Sequence, residues 1–193
     1  MGATRVKTEM GVEIEKKYHL SFAERERVKK RLVEVNAQFC HEEFEENTLY
    51  AGGVIDCSRT ILRVRRAANK TVFTYKERDA RSSAIKRQRE EETNVDDGEA
   101  LHRILCALGF RPSLVYEKRR ATWRIGNVEV VLDELPFGLF MEIEGGEREI
   151  FEVEELLDLT HAQVETATYP ELTAQHGARE GEMIEARFRA PKD

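Results

Sequence analysis

Glu13, Glu15 and Lys17 fall at alternate positions of Val12-Glu13-Ile14-Glu15-Lys16-Lys17-Tyr18, so an extended strand puts them on one face. The same alternation places Arg63 and Arg65, then Lys76, then Lys118 and Arg120, then Asp133, then Glu142 and Glu144 on single faces of later strands. Acids occupy the first and late strands and bases lie between them. Carboxylates hold hard divalent metals, and Arg and Lys hold phosphates. Two glutamates on one strand face stand roughly 6–7 Å apart, within reach of one or two shared cations. The combination suits a polyphosphate with its metal ions. The intervening Ile14, Val64, Leu132 and Ile143 are apolar and require a protein surface, so the charged face is not simply the wet side. Arg66 and Arg119 have the opposite parity and belong outside.

The elements that must position these residues follow from local signals. Strand patterns cover about 12–20, 44–50, 60–67, 71–77, 86–95, 114–124, 127–135 and 139–147. A helix starts at Ser21 with a capping box to Glu24, carries Val28, Leu32 and Val35, and ends near Ala37. Asp96 or Asp97 caps a second helix with Leu101, Ile104, Leu105 and Leu108 on one face, and a third spans 151–161 with Leu156, Leu157 and Leu159. Turns are expected at Ala51-Gly52-Gly53, Asn69-Lys70 and Gly126-Asn127, and a polar loop over 77–83. Eight or so antiparallel strands with helices outside predict an α+β, mainly antiparallel fold, a closed eight-stranded β-barrel. About a dozen inward charges are prohibitive in a dry interior. The lumen must therefore be wet, with opposite charges adjacent and bound ions or ligand completing the pairing.

The 193 residues predict one domain over 1–193, with about 1–11 a polar leader and about 178–193 a loose tail. Charged residues make up 35% of the chain, yet the net charge is −6 with 31 Lys and Arg, which excludes a generally basic nucleic-acid binder. Cationic surface must be local, a pocket that selects small anions. Cys40, Cys57 and Cys106 show no metal spacing or disulfide framework and read as reduced thiols of a cytoplasmic protein. No apolar run reaches membrane length, the start lacks a signal core, and Val6 breaks the myristoylation pattern. Walker, dinucleotide and Gly-x-Ser-x-Gly motifs are absent, and the five histidines are dispersed. All-oxygen donors favour Mg2+ or Mn2+ over zinc. Trp123 and Tyr75 read as packing residues.

From about Glu13 to Glu144, with an echo in Thr168-Tyr169-Pro170-Glu171-Leu172, the ordered series resembles the CYTH superfamily of triphosphate tunnel metalloenzymes. That group includes class IV adenylate cyclases, thiamine triphosphatases and inorganic triphosphatases. The resemblance implies that Glu13, Glu15, Asp133, Glu142 and Glu144 face the lumen and that acids among them hold the metals. The strand Gln88-Arg89-Glu90-Glu91-Glu92 has two registers by itself. Family members often show alternating glutamates before the second helix, which with Val95-Asp96-Asp97 favours Glu90 and Glu92 as inward, metal-side acids. The family arginine ahead of them falls on Gln88, a departure.

The expected function is divalent-metal-dependent hydrolysis of a triphosphate (inorganic tripolyphosphate, thiamine triphosphate or a nucleoside triphosphate). Arg63, Arg65, Lys76, Lys118 and Arg120 grip the phosphates. Glu13 and Glu15 act with Lys17, which contacts the terminal phosphate or helps deprotonate water. Both roles stay open, since a cation-rich site lowers a lysine's pKa. The alternatives are a class IV adenylate cyclase converting ATP to cyclic AMP and pyrophosphate, and a non-catalytic polyphosphate or nucleotide binder. The expected partner is a triphosphate-bearing small molecule, not nucleic acid or membrane, and a homodimer is left open.

Overall fold

The computed structural model describes residues 12–68, 70–78, 84–159 and 161–189. β1 (Val12–Leu20) leads into α1 (Phe22–Glu34), β2 (Gln38–Gly52), β3 (Thr60–Ala67), β4 (Lys70–Arg78) and β5 (Ile85–Val95). α2 (Gly98–Ala107) precedes β6 (Phe110–Ile125), β7 (Val128–Leu135) and β8 (Gly138–Glu144). Then come α3 (Glu147–Leu156), β9 (Gln163–Val164), α4 (Tyr169–His176), β10 (Ala178–Glu180) and β11 (Met183–Ala186).

The first eight strands close into an antiparallel barrel in the cyclic order β1, β5, β4, β3, β2, β6, β7, β8. This is the expected α+β barrel with helices outside. Direct pairing fixes which residues share a face. Glu15 lies opposite Glu144 and Lys17 opposite Glu142, while Arg120 lies opposite Asp133 and Lys118 opposite Glu45. Lys76 opposes Glu90 and Thr74 opposes Glu92, which settles the register of β5. Arg89 and Glu91 are exposed.

Because most of the inner face is charged, most of the apolar core lies outside the barrel wall. Tyr18, Leu20, Val130, Leu132, Met141 and Ile143 pack against Val28 and Leu32 of α1 and against Ile150 and Val153 of α3. Tyr50, Leu62 and Val64 pack beneath Leu105 of α2. Lys16, on the outer parity of β1, ties α3 to the wall through Glu154 at 2.7 and 2.8 Å. α1 starts at the predicted Ser21–Glu24 capping box, and Asp97 caps α2 by accepting from Ala100 N at 2.8 Å. Between β6 and β7 the Gly126-Asn127 turn forms, with Gly126 at φ 57°, a backbone that favours glycine.

Several boundaries differ from those predicted. β2 starts at Gln38 and β6 at Phe110, because antiparallel pairing runs the length of both: residues 38–43 of β2 lie along residues 120–124 of β6, and residues 110–112 of β6 along residues 50–52 of β2. α3 begins near Glu147, where Glu147 and Glu149 suit the positive end of the helix. Its buried stripe is Ile150, Val153 and the cap Leu157, and Leu156 faces out. On α2, Ile104 and Leu108 are exposed. Part of the expected loose tail is ordered strand, since β10 pairs with β11 and β11 joins β6 in parallel. The Thr168–Leu172 segment starts a helix, α4, with a capping box from Thr168 to Glu171. Asn69 of one predicted turn, most of the 77–83 loop and the 1–11 leader lie outside the described residues. Among the described residues, no helix is long and apolar enough to cross a membrane.

Ile143 is fully buried on the outer face. Ile143→Ala is expected to lower unfolding stability by about 2–5 kcal/mol in urea titration. A loss below about 1 kcal/mol would mean that this face is not the core.

Candidate active site

The alternation that puts Ile14 and Ile143 against helices turns their charged neighbours inward. A narrow cavity of about 50 Å³ is walled by the acids Glu13, Glu15 and Glu142 and by the cations Lys17, Arg63, Arg65, Lys76, Lys118 and Arg120. α4 closes this end: Tyr169 and Leu172 pack on Leu49, Tyr116, Leu135 and Phe140, which the strand register places on the inner face. Toward the other end of β3 and β4 a wider cavity of about 580 Å³ opens, lined by Phe39, His41, Glu43, Lys70 and Arg124 among others. Arg65 and Arg120 line both, so the cation row stands where the two meet.

The charges inside neutralise one another. Lys76 donates to Glu13 at 2.5 Å and reaches Glu90 at 3.4 Å. Lys17 lies 3.3 Å from Glu142 and 3.8 Å from the centre of the Tyr169 ring. Arg120 clamps Asp133 with two bonds of 2.7 and 2.5 Å and adds one of 2.6 Å to Glu142. Asp133 also accepts from the Tyr169 hydroxyl at 2.7 Å. Glu92 faces Arg63 at 3.3 Å and Arg65 at 3.7 Å. These arms fill the lumen, and the narrow cavity has room for only a few waters.

The electrostatics divide the acids. Burial pushes the Glu15 carboxyl up, and the neighbouring Glu142 and Glu13 push it further. Burial acts on Glu142 in the same sense, but Lys17, Arg120 and Lys118 win and hold it below the usual carboxylate range. Burial, reinforced by Lys17, brings Lys86 down to about 8. Lys86 shares the Ala167 carbonyl with Lys17, at 3.1 and 3.3 Å, and lies 3.7 Å from Glu15.

The predicted residues are therefore gathered, though unevenly. Asp133, Glu90 and Glu92 are turned inward but are held by cations behind the narrow cavity's wall. Glu144 shares the face of Glu15 by register and is only partly buried. Reading the sequence missed Glu45, Lys86 and Tyr169. Glu45 alternates with the buried Asn47 and could have been found by parity. Lys86 lies two before Gln88 on the inward parity of β5. Tyr169 carries no strand signal.

As the side chains stand, no group of three or more His, Cys, Asp or Glu among the described residues could hold a metal ion. Each acid of the narrow cavity faces a lysine or arginine instead. The donor chemistry nevertheless fits a hard divalent cation: three carboxylates crowd one wall, and the repulsion felt by Glu15 is what such a cation relieves.

A family model for the CYTH domain matches residues 11–177. The Methanocaldococcus jannaschii protein MJ0240, provisionally named an adenylate cyclase, is 26% identical over 149 residues, covering 75% of this chain and 84% of that protein. The PH1012 protein of Pyrococcus horikoshii OT3 is 29% identical, with TM-score 0.73 over 83% of this chain and 98% of that one. HpAC1 from Hippeastrum, provisionally an adenylyl cyclase and described as having dominant triphosphatase activity, is 19% identical with TM-score 0.62, over 83% of this chain and 93% of that one. At that identity the likeness is one of fold.

A raised carboxyl pKa means that the folded protein holds the proton more tightly than the unfolded chain does. Glu15 therefore favours folding below its ordinary pKa of 4.5, and that contribution is lost as pH rises through its folded value. In chelator at pH 7, Glu15→Gln is expected to raise Tm by a few degrees, with the gain fading toward pH 4. A lower Tm at pH 7 would show that Glu15 is a stabilising partner rather than a strained one.

Proposed function

The chain belongs to the CYTH domain family, and from that premise we propose that it hydrolyses a triphosphate substrate in its tunnel with the help of a divalent metal. The observation that carries this reading is the convergence of six Lys and Arg side chains and three glutamates on one cavity at the closed end of the barrel. A triphosphate bears about four negative charges, and guanidinium groups take its oxygens in pairs. Arg63, Lys118 and Arg120 would hold the phosphate chain and oppose the charge that develops during phosphoryl transfer. Arg65 and Lys76 extend the row on either side.

Lys17 stands between Glu142 and the Tyr169 ring, where its ammonium can contact the terminal phosphate. Asp133 and Tyr169 would orient Arg120, since both bonds of the Arg120–Asp133 clamp and the tyrosine hydroxyl meet on that carboxylate. Glu13, Glu15 and Glu142, with Glu144 beside them, would hold Mg2+ or Mn2+, which when bound neutralises phosphate charge and acidifies a water. Glu90 and Glu92 would serve the cations first, given their pairing with Lys76, Arg63 and Arg65.

The cyclase reading uses the same cations with the substrate laid so that a ribose hydroxyl attacks the α-phosphate. It draws support from the name of the Methanocaldococcus jannaschii relative. Triphosphatase is placed first because the narrow cavity is lined by cations and acids suited to a phosphate chain, and the fold relative from Hippeastrum is described by that activity.

Product analysis with tripolyphosphate, thiamine triphosphate and ATP, each with magnesium and then manganese, decides between the two. Orthophosphate release is expected. Cyclic AMP with pyrophosphate would establish the cyclase instead, and no product from any substrate would leave a binding protein. In variants that remain folded by circular dichroism, Arg63→Ala and Arg120→Ala are each expected to weaken tripolyphosphate binding by about 1.5–3 kcal/mol, roughly ten- to a hundredfold. Pyrophosphate should bind far more weakly than tripolyphosphate, because it spans only part of the row. Equal affinity for the two would remove the basis for a triphosphate site.

A further inference from the structure

Glu45 is a lumen acid that stands among cations, away from the crowded acids of the narrow cavity. It sits on β2, fully buried, on the inner face opposite Lys118. Glu13, Glu15 and Glu142 crowd one another, whereas the groups that act most strongly on Glu45 after burial itself are Lys118, Arg120, Arg65 and Arg63, all cations. Lys118 Nζ lies 3.2 Å from one carboxylate oxygen and Arg65 3.7 Å from the other, and Asn47 donates to the first at 3.3 Å. The oxygen facing Arg65 accepts no hydrogen bond among the described residues. Glu45 lines the wide cavity beside Arg65 and Arg120, where that cavity meets the narrow one.

An anion at this point has two physical effects. It gathers cations that would otherwise repel one another in a buried space. It also competes for them with any phosphate that enters, because its charge has the same sign and the same partners. On the triphosphate reading above, we propose that Glu45 is a positioning residue, a built-in counter-anion that holds Lys118 and Arg65 ready for the substrate and then opposes the product's hold on them. Its charge thus limits affinity and promotes release. Water can meet the bare oxygen in either state; what distinguishes Glu45 is that the charged groups beside it are Lys118 and Arg65.

Glu45→Gln keeps the size and the bond to Asn47 and removes the charge. Calorimetric titration with tripolyphosphate and with pyrophosphate, a product of either reaction, should show both binding more tightly than to wild type, on the order of tenfold. KM and kcat should fall together as release slows, and Glu45→Asp should restore both toward wild type. Unchanged or weaker binding in Glu45→Gln overturns the proposal. If Glu45→Gln does not fold, Glu45→Asp carries the test: its pyrophosphate affinity should stay within about twofold of wild type, and a tenfold change in either direction overturns the proposal. A wild type that binds tripolyphosphate without turning it over overturns the hydrolytic reading alone, because the binding comparison still decides the role of Glu45. A wild type that binds neither anion overturns both.

Discussion

Burying charge is the constraint on which this structure depends. An ionised side chain moved from water into a protein interior is tolerated only with a partner of opposite sign and with its remaining hydrogen bonds met. The barrel turns inward Glu13, Glu15, Lys17, Arg63, Lys76, Lys118, Arg120, Asp133 and Glu142, each nine-tenths or more buried. Register places opposite signs across from each other at Lys17 and Glu142 and at Arg120 and Asp133, while Glu15 lies opposite Glu144. With most of the lumen given over to ion pairs, most of the apolar core is displaced from it, save the cluster of Leu49, Tyr116, Leu135 and Phe140 under α4. The displaced part moves to the outer wall, where α1, α2 and α3 cover Tyr18, Val64, Leu132 and Ile143. The helices are a consequence of the charged interior as much as a companion to it.

The same constraint shapes the proposed chemistry. A lumen whose cations are engaged by its own acids is nearly closed, and a triphosphate can enter only by exchanging those contacts for new ones. On the proposed reading, phosphate oxygens replace carboxylates at Lys76, Lys17 and Arg120, and the carboxylates left behind need another positive charge. A divalent cation taken up with the substrate satisfies that need, so substrate and metal favour each other's binding through shared ion pairs. Asp133 is the exception among the acids, because its clamp on Arg120 and its bond from Tyr169 make it a fixture rather than a group to be exchanged. α4 supplies Tyr169 and closes the narrow end, which leaves the wider cavity as the side with more room.

Much of this was legible before any coordinates, because strand alternation needs no tertiary information. Glu13 and Glu15 against Ile14, Arg63 and Arg65 against Val64, and Glu142 and Glu144 against Ile143 each give the inward face by parity alone. The register of β5 needed more, since its near absence of apolar residues removes the parity signal, and the choice of Glu90 and Glu92 leaned on family likeness. Tyr169 was not legible because its role depends on α4 folding back across the barrel end, a contact between residues 36 apart in sequence for Asp133 and Tyr169. The starts of β2 and β6 escaped for a related reason: each pairs with the far end of the other strand, which extends both without an apolar pattern. Parity with Asn47 could turn Glu45 inward, but its pairing with Lys118 and Arg65 is seen only once those partners are in view.

On the proposed reading, internal ion pairs are exchanged for substrate and metal. A crystal structure with tripolyphosphate and magnesium tests it most directly. The phosphate chain is expected inside the barrel on Arg63, Lys118 and Arg120, with the Lys76–Glu13 and Lys17–Glu142 pairs opened and Arg120 still clamped to Asp133. Tripolyphosphate bound outside the barrel, with both of those pairs intact, would contradict it.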